Sequence, residues 1–90
     1  MNKDKFIVVE IGNLPLIIYK GKRGYIATLH LCKESVEKIG DAAAFVGGVK
    51  SIDDFLSTKV RKVTKWAEDL GLREGMTVKR VIRILDGEED

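Results

Sequence analysis

Apolar runs separated by turn signals make up the first third of the chain. KFIVVEIG (5–12) is rich in β-branched residues and apolar on both faces, which is typical of a strand inside a sheet. Turn residues at 12–13 (Gly-Asn) and 20–24 (KGKRG) bracket a second run, LPLIIYK. Pro15 is expected at the beginning of that strand, because proline has no N–H to donate to a neighbour. A third run, YIATLHL, covers 25–31. The pattern predicts three strands joined by short turns.

Apolar residues then recur with the period of a helix. A first helix is predicted to begin at Ser35, to end at Gly47-Gly48 and to bury Val36, Ile39, Ala43 and Val46. The small residues AAA at 42–44 would let another backbone approach closely. The segment GGVKS at 47–51 faintly resembles a phosphate-binding loop. Its spacing departs from that motif and no strand is predicted before it, so this interpretation is rejected.

A second helix is predicted from residue 51 to residue 71. Ser51 with Asp54 resembles a capping box, and Gly71 is expected to end the helix with Leu72 folding back on the last turn. Placed at about 100° per residue, one continuous apolar arc is formed by Ile52, Phe55, Leu56, Val60, Val63, Trp66, Ala67 and Leu70. Trp66 is therefore expected in the core.

β-branched residues return in GMTVKRVIRIL (75–85). This run predicts a fourth strand, with Lys79 and Arg83 on one face and Arg80 on the other. The order β-β-β-α-α-β predicts an α+β fold, in which a four-stranded, mostly antiparallel sheet carries two helices packed on one face. Because the first strand is apolar on both sides, we expect the strand order 3-2-1-4.

Length and composition fit one small domain. Ninety residues have room for one hydrophobic core, and a hydrophobic share of 44% is ordinary for a folded chain. No apolar run approaches the ~20 residues that cross a bilayer, and the start of the chain lacks the features of a signal peptide. A cytoplasmic protein that does not bind membranes is expected. Glutamine is absent and charged residues reach 33%, a composition that resembles that of thermophile proteins.

Charge is distributed unevenly along the chain. The last five residues, DGEED at 86–90, carry −4, which leaves +6 on residues 1–85 of a chain whose formal net charge is +2. We therefore divide the chain into a single domain at 1–85 and a short acidic tail. Basic residues form three clusters: Lys20, Lys22 and Arg23 at the predicted hairpin tip; Lys59, Arg61, Lys62 and Lys65 on the second helix; and Lys79, Arg80 and Arg83 on the last strand.

The three basic clusters together favour a polyanion as partner. Lysine and arginine side chains bind the phosphates of RNA or DNA, and Tyr25, next to the hairpin tip, offers a ring on which a base can stack. Each cluster alone also fits a solvated helix face, a wet hairpin tip or an edge strand protected by charge. We predict a small nucleic-acid-binding protein, such as an accessory component of a ribonucleoprotein like the ribosome. The acidic tail is expected to compete for the same clusters.

Two other functions are alternatives to nucleic-acid binding. The first is a protein-interaction or homodimerisation module, which would use the open sheet face or the small-residue helix. The second is catalysis, which has little support. The single His30 and single Cys32 exclude an internal disulfide and a four-ligand zinc site within one chain. Serines and paired carboxylates fall at predicted helix caps and ends. We expect no enzymatic activity, no cofactor and no metal.

Overall fold

A single five-stranded sheet is the framework of the fold. The computed structural model describes residues 5–10, 12–28 and 38–87. The strands are β1 (Phe6–Val9), β2 (Leu16–Lys20), β3 (Tyr25–Thr28), β4 (Ala43–Val46) and β5 (Lys62–Val63), and the helices are α1 (Ile52–Ser57), α2 (Lys65–Asp69) and α3 (Val78–Leu85). The sheet order is β1-β2-β3-β4-β5, with β3 and β4 parallel and the other neighbours antiparallel. The predicted α+β class with a mostly antiparallel sheet is confirmed.

The predicted number and order of elements are wrong. Within the described ranges, five strands and the three helices α1–α3 replace the four strands and two helices expected, and β1 lies at an edge of the sheet instead of inside it. The order 3-2-1-4 required a last strand beside β1, but residues 78–85 form a helix and leave that position empty among the described residues. Ile7, Val8 and Val9 are consequently 42%, 45% and 42% exposed.

The first predicted helix is wrong at its C-terminal end. Ile39 is helical, but Gly40 follows with a φ of 94°, a left-handed conformation that ends a helix. Ala43–Val46 then forms β4, which is parallel to β3 and buried along its whole length. Such an interior strand needs apolar side chains on both faces, and the helical spacing of Ala43 and Val46 concealed this. The predicted cap, Ser35, lies outside the described residues.

Both ends of the second predicted helix are confirmed. The Ser51 hydroxyl accepts a hydrogen bond from the N–H of Asp54 (3.1 Å) and caps α1. Gly71 has a φ of 102° after α2, and the N–H of Leu72 donates to the C=O of Ala67 (3.1 Å). This is the expected Schellman closure, with Leu72 fully buried.

The middle of that predicted helix is extended, because β4 offers it a hydrogen-bonding edge. The N–H groups of Arg61 and Thr64 donate to the C=O groups of Phe45 (2.8 Å) and Ala43 (2.9 Å). The Thr64 hydroxyl then accepts from the N–H of Ala67 (3.2 Å) and starts α2. The interpretation of residues 51–71 as one helix is therefore wrong, and the chain forms α1, β5 and α2.

Residues 78–85 form α3 and not the predicted fourth strand. Val78, Val81, Ile82 and Leu85 recur at the spacing of one helix face, and all four are buried. The Thr77 hydroxyl caps the helix. β-branched residues favour a strand only weakly, and the packing of this continuous apolar face outweighs that preference.

Helices α1, α2 and α3 pack on the same face of the sheet and form the main core with it. The ring of Phe6 on β1 packs edge-to-face against Tyr19 and Phe55, with ring centroids 5.0 Å and 5.9 Å apart. The prediction placed two helices, over 35–47 and 51–71, on one face of the sheet; the structure instead places α1, α2 and α3 there. A second buried cluster lies on the opposite face of the sheet and contains Ala27, Ala43 and Phe45.

Candidate nucleic-acid interface

Helix α3 presents cations at every exposed position. Five of its eight residues are apolar and buried, and the other three, Lys79, Arg80 and Arg83, are exposed. At about 100° per residue, these three project within an arc of about 100°. The prediction that Arg80 faces away from Lys79 and Arg83 is wrong, because it assumed the alternation of a strand. The helix brings the third predicted cluster together on one surface.

The helix dipole does not favour the cations at the start of α3. Lys79 and Arg80 lie in its first turn, which contains no acidic residue. Positive charge at this end opposes the dipole, at a cost of about 0.3–1 kcal/mol per charge.

The β2–β3 turn is held against the C-terminal end of α3. The N–H of Arg23 donates to the C=O of Leu85 (2.9 Å). The Arg23 guanidinium lies beside Gly87, where an added Cβ would be 3.5 Å from Nη2. Lys22 is exposed in the same turn. Arg23 of the first predicted cluster is therefore held at the C-terminal end of the helix that carries the third cluster. We use the name α3 cationic face for Arg23, Lys79, Arg80 and Arg83.

Asp86, which the sequence assigned to the acidic tail, is bound to the body of the protein. Its carboxylate accepts hydrogen bonds from the Tyr19 hydroxyl (2.6 Å), the Lys5 ammonium (2.9 Å) and the N–H of Lys22. Burial alone would raise the pKa of Asp86, but the hydrogen bonds from Tyr19 and Lys5 and the charge of Lys5 outweigh it and lower the pKa. These hydrogen bonds tie the β2–β3 turn and β2 to the C-terminal end of α3. Residues 88–90 lie outside the described residues.

The second predicted cluster is spread over separate elements. Lys59 forms an isolated β-bridge with Thr77, the cap of α3. Lys62 lies in β5 opposite Phe45, on the sheet face away from the helices, whereas Lys65 begins α2. Arg61 lies between the bridge and β5 and lines a cavity at one end of the sheet. The structure does not gather these four cations on one surface.

Trp66 lies at the surface and not in the core. Its side chain is 41% exposed, and the Lys65 Nζ lies 5.0 Å from the centre of its ring. The core prediction is wrong because it placed Trp66 on the arc of one uninterrupted helix, whereas α2 begins anew after β5. In the sequence, only the neighbouring Lys65 indicated that Trp66 lies at the surface.

Lys20 and Tyr25 face away from the helices. They are partners in the β2–β3 register, and Tyr25 packs against the cluster on the opposite sheet face. The Tyr25 hydroxyl donates to Asp41 Oδ2 (2.9 Å). Burial, together with the hydrogen bond and the charge of Asp41, raises the pKa of Tyr25 to about 12. These two predicted site residues therefore do not adjoin the α3 cationic face.

Within the three described ranges, no helix is long and apolar enough to cross a bilayer. In the same ranges, no group of three or more His, Cys, Asp or Glu side chains is placed to hold a metal ion. His30 and Cys32 lie outside those ranges.

Comparison with known proteins relates the chain to a family by sequence and by fold. Residues 33–85 match the model of a domain of unknown function, DUF1805. The crystal structure of TA1206, a protein of unknown function from Thermoplasma acidophilum, is 39% identical and superposes with a TM-score of 0.84, covering 89% of this chain and 78% of that chain. No curated protein matches the sequence. Neither similarity brings a stated function with it.

Proposed function

The chain belongs to the DUF1805 family, and we propose that it binds the phosphate backbone of nucleic acid through the α3 cationic face. The observation that carries the proposal is the composition of α3: every exposed residue is a cation and every other residue is a buried apolar one. Binding is non-catalytic, with no cofactor and no metal. We propose that it does so as an accessory component of a cytoplasmic ribonucleoprotein.

The dimensions of the α3 cationic face suit a phosphate backbone. A helix of eight residues is about 12 Å long. A nucleic-acid duplex carries one phosphate charge about every 1.7 Å along its axis, so several phosphates lie within reach of one such helix. Arg23 extends the positive surface beyond the C-terminal end of the helix. Arginine guanidinium groups also match phosphate in a two-point fork, and three of the four cations are arginines.

The experiment compares two variants of equal net charge. One carries Lys79→Gln, Arg80→Gln and Arg83→Gln on the α3 cationic face. The matched control carries Lys20→Gln, Lys50→Gln and Lys62→Gln, which removes three exposed lysines elsewhere. Fluorescence anisotropy with labelled 20-nucleotide RNA and with duplex DNA measures the dissociation constants. Circular dichroism confirms that both variants fold.

We expect the α3 variant to bind about 100-fold more weakly near 100 mM salt, since three phosphate contacts at about 0.7 counterions each are lost. The control is expected to lose only a few-fold through its lower net charge. Equal losses in the two variants would show that binding follows net charge and not this surface. Wild-type protein that fails to bind either nucleic acid at low salt would refute the proposal.

A second candidate function, homodimerisation, is favoured by one observation. Strand β1 is an edge strand of the described sheet, and its three residues Ile7, Val8 and Val9 are each more than 40% exposed. An exposed edge strand offers unpaired N–H and C=O groups with which another chain can pair. Antiparallel pairing of β1 with β1 of a second copy would extend the sheet across the dimer and cover these side chains.

Light scattering tests this second candidate through a single substitution. Val8→Lys places a charge at the middle of the edge while leaving the β1–β2 pairing intact. A wild-type dimer that becomes a monomer in Val8→Lys is the expected result. A wild-type monomer at concentrations near 100 μM would rule out this interface as a stable one.

A further inference from the structure

A small cavity lies at the end of the sheet where the parallel strands β3 and β4 finish. Its volume is about 260 Å³. Thr28, the last residue of β3, lines it together with Gly47, which directly follows β4. Leu14 and Pro15, from the turn before β2, contribute a further wall. The cavity therefore lies beyond the carboxyl ends of the two strands that pair in parallel in the described sheet.

The segment that leaves β4 forms one wall of this cavity. Gly47, Gly48 and Val49 line it, and Gly48 has a φ of 71°, a left-handed conformation that favours glycine. Val49 is only 3% exposed, so this wall is closely packed against the core.

The sequence-based rejection of this segment as an anion loop was partly wrong. It assumed that no strand precedes Gly47, whereas β4 leads directly into it. The spacing of the nucleotide-binding motif is still absent, because Val49 separates Gly48 from Lys50. The segment thus follows a strand directly, but it lacks the lysine placement of a nucleotide site.

Among the described residues that line the cavity, Arg61 is the charged one. Its backbone is fixed by the N–H bond to the C=O of Phe45, and its neighbour Val60 is buried. No salt bridge between Arg61 and a carboxylate occurs within the part of the chain that is described. A planar guanidinium presents its donors in a fork that matches the two oxygens of a carboxylate.

We propose that this cavity binds a short aliphatic carboxylate, with the carboxylate on Arg61 and the hydrocarbon part against Leu14, Pro15 and Val49. The apolar wall selects a hydrocarbon group over a fully hydrated ion. The volume equals that of roughly eight or nine water molecules at about 30 Å³ each, which admits a molecule of a few carbon atoms and is small for a nucleotide. The proposal is independent of nucleic-acid binding, because Arg61 does not belong to the α3 cationic face.

The test follows amide chemical shifts of the full chain in ¹H–¹⁵N spectra during titration with sodium butyrate. Two further titrations use n-butanol, which has the same carbon chain without the charge, and inorganic phosphate, which has the charge without the chain. We expect butyrate to produce saturable shifts at Thr28 and at residues 47–49, with a dissociation constant of about 5 mM or below, the range for so small a ligand. Butanol is expected to bind at least about tenfold more weakly, since it lacks the charge-assisted hydrogen bonds.

Arg61→Gln and Lys62→Gln form a matched pair for the same titration. Arg61→Gln should weaken butyrate binding about tenfold or more, and Lys62→Gln, one residue away on the sheet face, should leave it unchanged. Equal shifts in wild type and Arg61→Gln would overturn the proposal. So would butanol binding as tightly as butyrate, phosphate binding where butyrate does not, or no localised shift with butyrate. If Arg61→Gln does not fold, the comparison of butyrate with butanol in the wild type still decides the outcome.

Discussion

Replacing Asp86 by asparagine tests whether this carboxylate holds the C-terminal end of α3 against the sheet. The Asp86 side chain is 11% exposed and accepts hydrogen bonds from Tyr19 (2.6 Å) and Lys5 (2.9 Å). A hydrogen bond to a charged, largely buried group contributes about 1.5–3 kcal/mol, whereas a partly exposed ion pair contributes up to about 1 kcal/mol. Asparagine retains one acceptor oxygen for the Tyr19 hydroxyl. We therefore expect a loss of about 2–3 kcal/mol in the free energy of unfolding.

The pH dependence of this loss has a defined sign. The folded protein lowers the pKa of Asp86 below its ordinary value, so the stabilisation is fully present above that ordinary value and disappears as the pH falls through the folded pKa. The stability difference between wild type and Asp86→Asn should be constant between about pH 5 and pH 8 and should shrink below about pH 4.

Urea unfolding measures this difference, with the fluorescence of the single tryptophan, Trp66, as the signal. Asp69→Asn serves as the control, because Asp69 is an exposed carboxylate at the end of α2. Its effect should stay within about 0.5 kcal/mol. An Asp86→Asn variant as stable as the wild type at pH 7 would refute the reasoning, and so would a deficit that persists undiminished at pH 3.

Three further predictions concern tight contacts and titration elsewhere in the fold. Gly24→Ala should lower the free energy of unfolding by about 2–4 kcal/mol in urea, because its Cβ would overlap the carbonyl oxygen of Ala42. Thr64→Val should cost about 2–3 kcal/mol, since the fully buried hydroxyl donates to the C=O of Asp41 (2.9 Å) and caps α2; Thr64→Ser should recover most of this loss. In a spectrophotometric titration at alkaline pH, Tyr25 should ionise near pH 12, and Tyr25→Phe should abolish that step; ionisation near pH 10 would contradict the contact with Asp41.

Helix caps and turns, which depend on interactions within a few residues, could be predicted from the sequence. Ser51 caps α1 and Gly71 closes α2 as expected, because a cap depends on side-chain and backbone atoms three or four positions apart. The turns before β2 and before β3 follow from Gly, Asn and Lys in the same way. Local chemistry therefore located the ends of several elements correctly.

Elements whose conformation depends on residues distant in the sequence could not be predicted. Residues 62–63 become a strand because β4 has a free edge, and β4 itself was hidden inside a predicted helix. In α3 the apolar residues recur at the spacing of a helix: Val78, Val81, Ile82 and Leu85. The high content of β-branched residues in the same segment led to the prediction of a strand. These four residues are buried on one face of the helix.

The candidate site was predictable as a set of charges but not as a surface. Lys79, Arg80 and Arg83 were recognised as one cluster, yet only a helix places all three on one side. Arg23 joins them through the backbone bond to Leu85, which joins residues 62 positions apart along the chain. Arg61, grouped by sequence with the lysines of the second cluster, lines the cavity instead.

The salt dependence of RNA binding tests the central claim most directly. With four phosphate contacts on the α3 cationic face, the affinity for single-stranded RNA should fall with a logarithmic slope of about −3, a loss of roughly 50-fold between about 50 and 200 mM salt. The variant lacking Lys79, Arg80 and Arg83 should show a slope near −1. A wild-type slope that the variant reproduces, or RNA binding that is insensitive to salt, would contradict the account.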